Sequence, residues 1–463
     1  MITLRDVLEG TGGSLLGDAD LDLLLHRVRH DSRQVEPGDL FVAVVGEHLD
    51  GHEFLGQAIE RGAGAALVDR SHASALTGSG LPLVVAENTV TALQHLAAYW
   101  RALFDVQLVG ITGSVGKTST KEVIAGVLAQ RFNTVRSPGS FNNEIGLPLS
   151  LLDITPDTDA VVLEIGGAYA PGEIKALAGI ARPTIGVVTN VGHAHLERMG
   201  SIEAIAATKT ELPAALPEDG VAILNGDDDR VRAMADHCRC RVIFYGLAPD
   251  CQVRASDIES HGLEGISFTL RFDGEQHHIR VPLLGRHSAH TVLAAIAVGT
   301  ELGMSIDEML PGFENPSIQL RLLTVPGIGG SIIIDDTYNA SPASCLAALN
   351  LLNDLDASRS IAVFGDILEL GSFEDEGHRI VGRRAAAVVQ LLFTIGPRAK
   401  TIAEQAVASG LPASNVYVAT EKPELIEKLR ASLRPGDIVL VKGSRGMRME
   451  DIVEHLRDQA LPA

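Results

Sequence analysis

A chain of 463 residues is too long for one hydrophobic core, and at roughly 150 residues per domain it is expected to form about three. The formal charge of −21 argues against a phosphate-backbone binder, which needs basic faces, so nucleic acid is not an expected partner, although a local cationic pocket could hold one nucleotide. Hydrophobic residues at 46% and 47 glycines fit repeated strand-turn-helix units better than a coiled coil or a disordered tail. Cys238, Cys240, Cys251 and Cys345 are too sparse for a disulfide scaffold and point to a reducing compartment. The C-x-C pair at 238 and 240 lacks the second pair or spaced histidines of a zinc site and reads as ordinary packing. MITLRDVLEG carries no basic region followed by an apolar run, and no window offers about 20 uninterrupted apolar residues, so a cytoplasmic chain without a membrane span is expected.

From residue 1 to 104 the runs DLFVAVVG (39–46), AALVD (65–69) and LPLVVA (81–86) are separated by the helical stretch GHEFLGQAIERGA, which predicts a small α/β domain. A helix over 90–104, with Leu93, Leu96, Ala97 and Trp100 on one face, closes it. Residues 105–316 repeat the alternation with VQLVGIT, AVVLEIG, TIGVVTNV and VAILNGD. Their continuous apolar character predicts a sheet covered on both faces. Period-two alternation around Asp273-Gly274 predicts an antiparallel hairpin appended to that sheet. Residues 317–463 contain SIIIDDTYN, SIAVFGD, LLFTIG, NVYVAT and DIVLVKGS, each followed by a helical stretch. That is the pattern of a doubly wound, Rossmann-like sheet whose ligands bind at the carboxyl ends of its strands. The fold class expected is therefore α/β in three domains, the central one an ATPase-type sheet because its first strand runs through the glycine-rich loop GSVGKT (113–118), a phosphate-loop pattern, into a helix.

The sharpest local feature is GITGSVGKTSTKEVIAGVLAQ (110–130), placed after an apolar strand and opening a helix. The loop residues Thr112, Gly113, Ser114, Val115 and Gly116 can turn backbone N–H groups toward phosphate. Lys117 adds a point charge, and Thr118 offers a hydroxyl to Mg²⁺. The common G-x-x-x-x-G-K spacing needs glycine at 111 and finds Ile111, so the loop here is G-x-T-G-S-x-G-K-T.

That variant loop resembles the Mur ligase superfamily, to which folylpolyglutamate synthetase also belongs, and the resemblance covers essentially the whole chain. It rests on HDSRQVEPGDLFVAVVGEHLDGHEFLGQAIERGA (30–63), SFNNEIGLPLSLL (140–152), VLEIGGAYAPGEI (162–174) and NVGHAHLERMGSIEAIAATKTEL (190–212). In the last domain IDDTYNASPASCLAAL (334–349), VFGDILELG (363–371) and LVKGSRGMRMEDIV (440–453) are similar to the branch that adds D-alanyl-D-alanine.

The resemblance implies an ATP-dependent, ADP-forming ligase that joins D-alanyl-D-alanine to a UDP-N-acetylmuramoyl tripeptide through an acyl-phosphate. It implies Mg²⁺ held by Thr118, Glu164, His195 and Lys209, with Lys209 carbamylated by CO₂, and catalysis by Lys117, Lys209, Glu164 and His195. A carboxylate at a strand end beside a phosphate loop suits Mg²⁺ on its own chemistry, whereas an unmodified Lys209 ammonium would oppose it. His193 reads as a loop histidine. Adenine is expected near His287, Ser288 and Thr291, where serine and threonine replace the two asparagines of the family form G-R-H-N-x-x-N. Arg321 and Asp336 are expected to reach ATP. Ser32 and Arg33, in the loop Asp31-Ser32-Arg33 beside Asp50-Gly51-His52, are expected to hold the UDP end. Asn142, Asn143, Tyr338, Asn339 and Ser341 are expected against the substrates, and the working unit is expected to be a monomer. Lys442 and Arg445, in a terminal loop, read as solvated.

Two other ligases compete for the same motifs. The diaminopimelate- or lysine-adding branch reads D-Y-A-H-T-P where this chain has DDTYNASP, and folylpolyglutamate synthetase lacks a comparable first domain. A non-catalytic subunit on the same scaffold could dispense with Glu164, Lys209 or the first domain, and all three are present here.

Overall fold

Val, Ile and Leu dominate the strands of three separate main sheets in the computed structural model, which describes residues 1–46, 48–167, 170–314 and 322–458. The first domain carries five strands in the order Ser14–Leu16, Leu83–Ala86, Ala65–Asp69, Leu40–Val42, Val28–Arg29. All pairs are parallel except the edge formed by Ser14–Leu16. The closing helix runs Thr89–Ala102, started by the Asn88 side chain, which accepts the Thr91 N–H at 2.9 Å. Leu93, Leu96, Ala97 and Trp100 are buried as their spacing requires. They are buried between two domains: the helix packs on Leu4–Thr11 of its own domain and on Gly146–Leu151 and Glu173–Ala181 of the central one, and Trp100 Nε1 donates to the Ile154 carbonyl at 3.0 Å. One apolar cluster thus spans both domains, from Leu4 and Val7 to Leu147, Leu163 and Leu177.

The central sheet has nine strands, in the order Glu275–Val281, Ile266–Phe272, Val253–Ser260, Arg241–Gly246, Val221–Asn225, Ile185–Val188, Gln107–Thr112, Ala160–Glu164, Thr134–Arg136. Every pairing from Thr134–Arg136 to Val253–Ser260 is parallel, and the last two are antiparallel. The hairpin expected at Asp273-Gly274 is present, with Phe272 opposite Glu275 and φ of 49° and 79° at the two turn residues. Positive φ at both central positions matches the right-handed twist of the strands. Helix Lys117–Leu128 lies on this sheet beneath helix Ser288–Glu301, and every residue from Thr120 onward is buried, leaving its first three residues at the loop end accessible.

In the last domain Ser331–Asp336, Asp437–Lys442, Arg359–Gly365, Leu391–Ile395 and Val416–Ala419 form a parallel sheet in that spatial order, edged by antiparallel Leu323–Gly327. Apolar clusters lie on both faces, as a doubly wound sheet demands. Among the described residues no helix is long and apolar enough to cross a membrane.

Candidate active site

The phosphate loop joins strand Gln107–Thr112 to helix Lys117–Leu128, and it is held from below. Ser114 N donates to the Asn190 carbonyl at 2.9 Å and Val115 N to Asn190 Oδ1 at 2.9 Å, while Thr189 Oγ1 donates to the Val115 carbonyl at 2.8 Å. Gly113 adopts φ 143°, and a Cβ there would sit 1.9 Å from Thr189 Oγ1, so only glycine fits. Lys117 Nζ curls back to the Gly113 carbonyl at 2.9 Å. The loop opens on a cavity of about 710 Å³ whose walls come from the central and C-terminal domains, with Gln94 of the first domain at one edge.

Glu164 ends the strand beside the loop and is 2% exposed. Thr118 Oγ1 donates to Glu164 Oε2 at 2.8 Å and Asn142 Nδ2 to Glu164 Oε1 at 2.6 Å. A buried carboxylate with a neighbouring hydroxyl is a hard-oxygen donor set, and each of its oxygens keeps an unused lone pair, so these residues fit Mg²⁺. Asn143 lines the same cavity, and its Oδ1 accepts the Gly146 N–H at 2.9 Å, opening helix Gly146–Leu151.

Lys209, on helix Ile202–Ala214, is 3% exposed and donates to the Gly167 carbonyl at 2.7 Å. Burial first, and then the Lys117 charge, pull its pKa down to about 7. His195 lines the cavity half-buried, its Nδ1 2.5 Å from Glu369 Oε2 of the C-terminal domain. Burial and the Lys117 and Lys209 charges hold its pKa below the ordinary value against the opposing pull of Glu369. His193 does sit in the loop, stacked on Phe373 with ring centroids 4.0 Å apart.

At the far end of the cavity lie His287, Ser288 and Thr291. His287 is exposed to the cavity, and the protein packed around it limits its solvation and lowers its pKa. Ser288 donates its hydroxyl proton to the Leu284 carbonyl at 2.7 Å, which leaves it only an acceptor.

The C-terminal wall revises one expectation outright. Lys442 is not solvated: it is 1% exposed, and its Nζ donates to Asp336 Oδ2 at 2.5 Å and to the Asn339 carbonyl at 2.9 Å. The last strand ends inside the cavity, and an ammonium there is buried among acceptors. Its position at a parallel strand's carboxyl end was the signal that could have found it. Arg445 is exposed as expected, with its guanidinium 5.3 Å from the Tyr338 ring centroid. Tyr338 is itself 40% exposed, not a packed aromatic, and its hydroxyl meets Ser140 across the cavity. Asn339 lines the cavity, and Ser341 caps helix Pro342–Asp354, its Oγ accepting the Ser344 N–H at 3.3 Å. Arg321 lies outside the described residues. Glu369, Asn190 and Thr189 are partners that sequence reasoning missed.

Ser32 and Arg33 lie away from this cavity, on the first domain. Ser32 is buried and donates to Gln57 Oε1 at 2.6 Å; Arg33 is exposed and grips Asp31 at 2.8 Å, holding that carboxyl down at about 2. Among the described residues one trio has ligand-type atoms near enough for a cation: Asp50, His52 and His72. His52 Nε2 accepts the Asp69 N–H at 2.9 Å, so its Nδ1 carries the proton given to Asp50 Oδ1 at 2.6 Å. With both ring nitrogens engaged, His52 braces its loop and is not a metal ligand.

Three domain models of this family match in order: the Mur ligase family catalytic domain over residues 24–101, the Mur ligase middle domain over 111–299 and the Mur ligase glutamate ligase domain over 320–445. The UDP-N-acetylmuramoyl-tripeptide–D-alanyl-D-alanine ligase of Bacillus subtilis (strain 168) is 35% identical over 99% of both chains. A crystal structure of MurF from Acinetobacter baumannii superposes with a TM-score of 0.85 at 28% identity, covering 98% of each chain. MurF from Thermotoga maritima in complex with ADP does so at 0.77 and 29% identity, over 94% of this chain and 97% of that one. With such a relative matched end to end and the three domain models in register with the three sheets, the chain belongs to the Mur ligase family.

Proposed function

We propose that the chain is an ATP-dependent, ADP-forming ligase that joins D-alanyl-D-alanine to a UDP-N-acetylmuramoyl tripeptide, in the cytoplasmic stage of peptidoglycan synthesis. The observation that carries this reading is one cavity in which a phosphate loop, the buried Glu164 and the buried Lys209 face the Tyr338–Asn339 segment of the last domain. A full-length relative named for that reaction, and a structural neighbour bound to ADP, support it.

The tripeptide carboxylate attacks the γ-phosphorus of ATP, giving an acyl-phosphate and releasing ADP. The amine of D-alanyl-D-alanine then attacks the acyl carbon, phosphate leaves with the C–O bond pair, and the amine loses a proton. Backbone amides of residues 113–117 and the Lys117 ammonium hold the phosphates. Thr118, Glu164, His195 and Lys209 would hold Mg²⁺, which when bound neutralises charge on the transferred phosphoryl group. His195 would do this through Nε2, because Glu369 occupies Nδ1. A cavity walled by two domains keeps water from the acyl-phosphate.

Lys209 acts as a carbamate in this reading. Its neutral amine attacks CO₂ and loses a proton, leaving an anion where an ammonium would repel Mg²⁺. Burial and the low pKa favour that neutral amine. The working division is residues 1–104 for the UDP-sugar end through Ser32 and Arg33, 105–316 for ATP, and 317–463 for the incoming dipeptide, in a monomer.

Purified protein given ATP, Mg²⁺, a UDP-muramoyl tripeptide and D-alanyl-D-alanine should yield ADP and a pentapeptide product of the expected mass. Product with diaminopimelate or lysine on a dipeptide acceptor, and none with D-alanyl-D-alanine, would assign the chain to the competing branch.

A further inference from the structure

At the base end of the cavity three polar side chains are already committed to the protein. Ser288 has spent its only proton on Leu284, and Asn225 uses its Nδ2 on the Thr189 carbonyl at 2.8 Å and its Oδ1 on the Asp227 N–H at 3.0 Å. Tyr245 is fully buried, with its hydroxyl given to the Val188 carbonyl at 3.2 Å.

His290 differs. It lines the cavity half-exposed from the first turn of helix Ser288–Glu301, and its Nε2 lies 2.7 Å from Asp227 Oδ2. Asp227 is itself fixed, accepting the Leu247 N–H at 2.7 Å and the Ala248 N–H at 2.8 Å. Burial alone would raise its pKa, but the bonds from His290, Leu247 and Ala248 outweigh burial and hold it below the ordinary range. A carboxylate can only accept, so in the neutral ring Nε2 carries the proton and Nδ1 presents a lone pair.

The site also lies at the right place along the sheet. Asp227 follows strand Val221–Asn225, the second strand from the phosphate-loop strand Gln107–Thr112. At roughly 4.8 Å per strand that is about 10 Å sideways, within the reach of a nucleotide whose phosphates sit on the loop.

We propose that the Asp227–His290 pair selects adenine, with His290 Nδ1 accepting a hydrogen bond from the 6-amino group of ATP. This inference rests on the ATP-dependent reading above and adds the base-specifying residue to it. Guanine and hypoxanthine put a carbonyl at that position, which would face the Nδ1 lone pair without a proton between them. The two groups lost from the family pattern at Ser288 and Thr291 are thereby replaced by a histidine one helical step away.

The test is direct nucleotide binding by calorimetry, with no acceptor or amine present, so it is independent of whether ligation occurs. ATP, ITP and purine riboside triphosphate, which lacks the 6-amino group, are compared on wild type, His290→Ala and His290→Leu. Wild type should bind ATP at least about tenfold tighter than either analogue, and both variants should bring the three within about twofold of one another. Asp227→Asn, which can donate to Nε2 and move the proton to Nδ1, should shift preference toward ITP. An unchanged ATP-to-ITP ratio in both His290 variants, or equal loss of all three nucleotides, would overturn the proposal. If selectivity collapses as expected but no pentapeptide forms in the ligation assay, the base assignment stands and the ligase reading falls.

Discussion

His195 of the central domain and Glu369 of the C-terminal domain meet at 2.5 Å across the domain boundary, and both hold left-handed backbone, with φ of 60° and 63°. Two non-glycine residues in that region, facing each other, mark a contact that the surrounding structure imposes on them. The same corner carries a backbone bond from Glu197 N to the Glu369 carbonyl at 3.1 Å and an ion pair from Arg198 to Glu369 at 3.3 Å. Glu369 therefore sets the tautomer of His195 and ties its orientation to the position of the last domain.

Replacing Glu369 by Gln keeps the shape but removes the charge that favours Nδ1–H on His195. The Mg²⁺ concentration giving half-maximal rate should rise about 10- to 100-fold, with thermal stability little changed. A normal Mg²⁺ dependence in E369Q would detach His195 from the metal.

Lys209 gives a pH signature with a defined sign. Its pKa of about 7 lies below the ordinary lysine value, so the ammonium dominates below pH 7 and the reactive neutral amine above it. After removal of CO₂, reactivation at fixed dissolved CO₂ should accelerate as pH rises through about 7 and level off by pH 8 to 9. Lys209→Arg should lose about a hundredfold in turnover whatever the CO₂ supply. Reactivation that keeps rising to pH 10 would show an unperturbed amine, and normal turnover in K209R would end the carbamate proposal.

Lys442 and Asp336 should behave as a coupled buried pair. Lys442→Met leaves the Asp336 carboxylate 7% exposed without its cation, and should cost about 3–5 kcal/mol in unfolding free energy. The double variant K442M with D336N should recover much of that loss. Additive effects in the two single variants would mean that the contact is energetically empty.

In the phosphate loop, two glycines separate space from strain. Gly113→Ala must push a methyl into Thr189, so ATP binding and turnover should both collapse by at least about a hundredfold. At Gly116 a Cβ meets open space but φ is 87°, so Gly116→Ala should cost only about 1 kcal/mol of stability. Near-normal ATP binding and turnover in Gly113→Ala would contradict the packing of residue 113.

On the first domain, Arg33 is exposed while Ser32 is committed to Gln57. Arg33→Ala should raise the KM for the UDP-muramoyl substrate and leave that for ATP alone. If only ATP kinetics change, the acceptor site lies elsewhere.

By itself the sequence determined whatever depends on neighbours along the chain. The order of strands and helices follows from apolar runs, the Asp273-Gly274 hairpin from turn chemistry, and the phosphate loop from a contiguous strand-loop-helix whose backbone does the binding. Glu164 was legible for the same reason, as an acid at the end of an apolar strand. What the tertiary structure alone decided are properties created by distant residues. Lys209 becomes a weakly basic amine only when buried beside Lys117. Lys442 finds Asp336 across 106 residues and His195 finds Glu369 across 174. Ser341 turns out to start a helix, and the first domain's closing helix shares its apolar face between its own domain and the next. Desolvation and charge pairing depend on distance in space, and a linear pattern carries that distance only where the fold keeps sequence neighbours together.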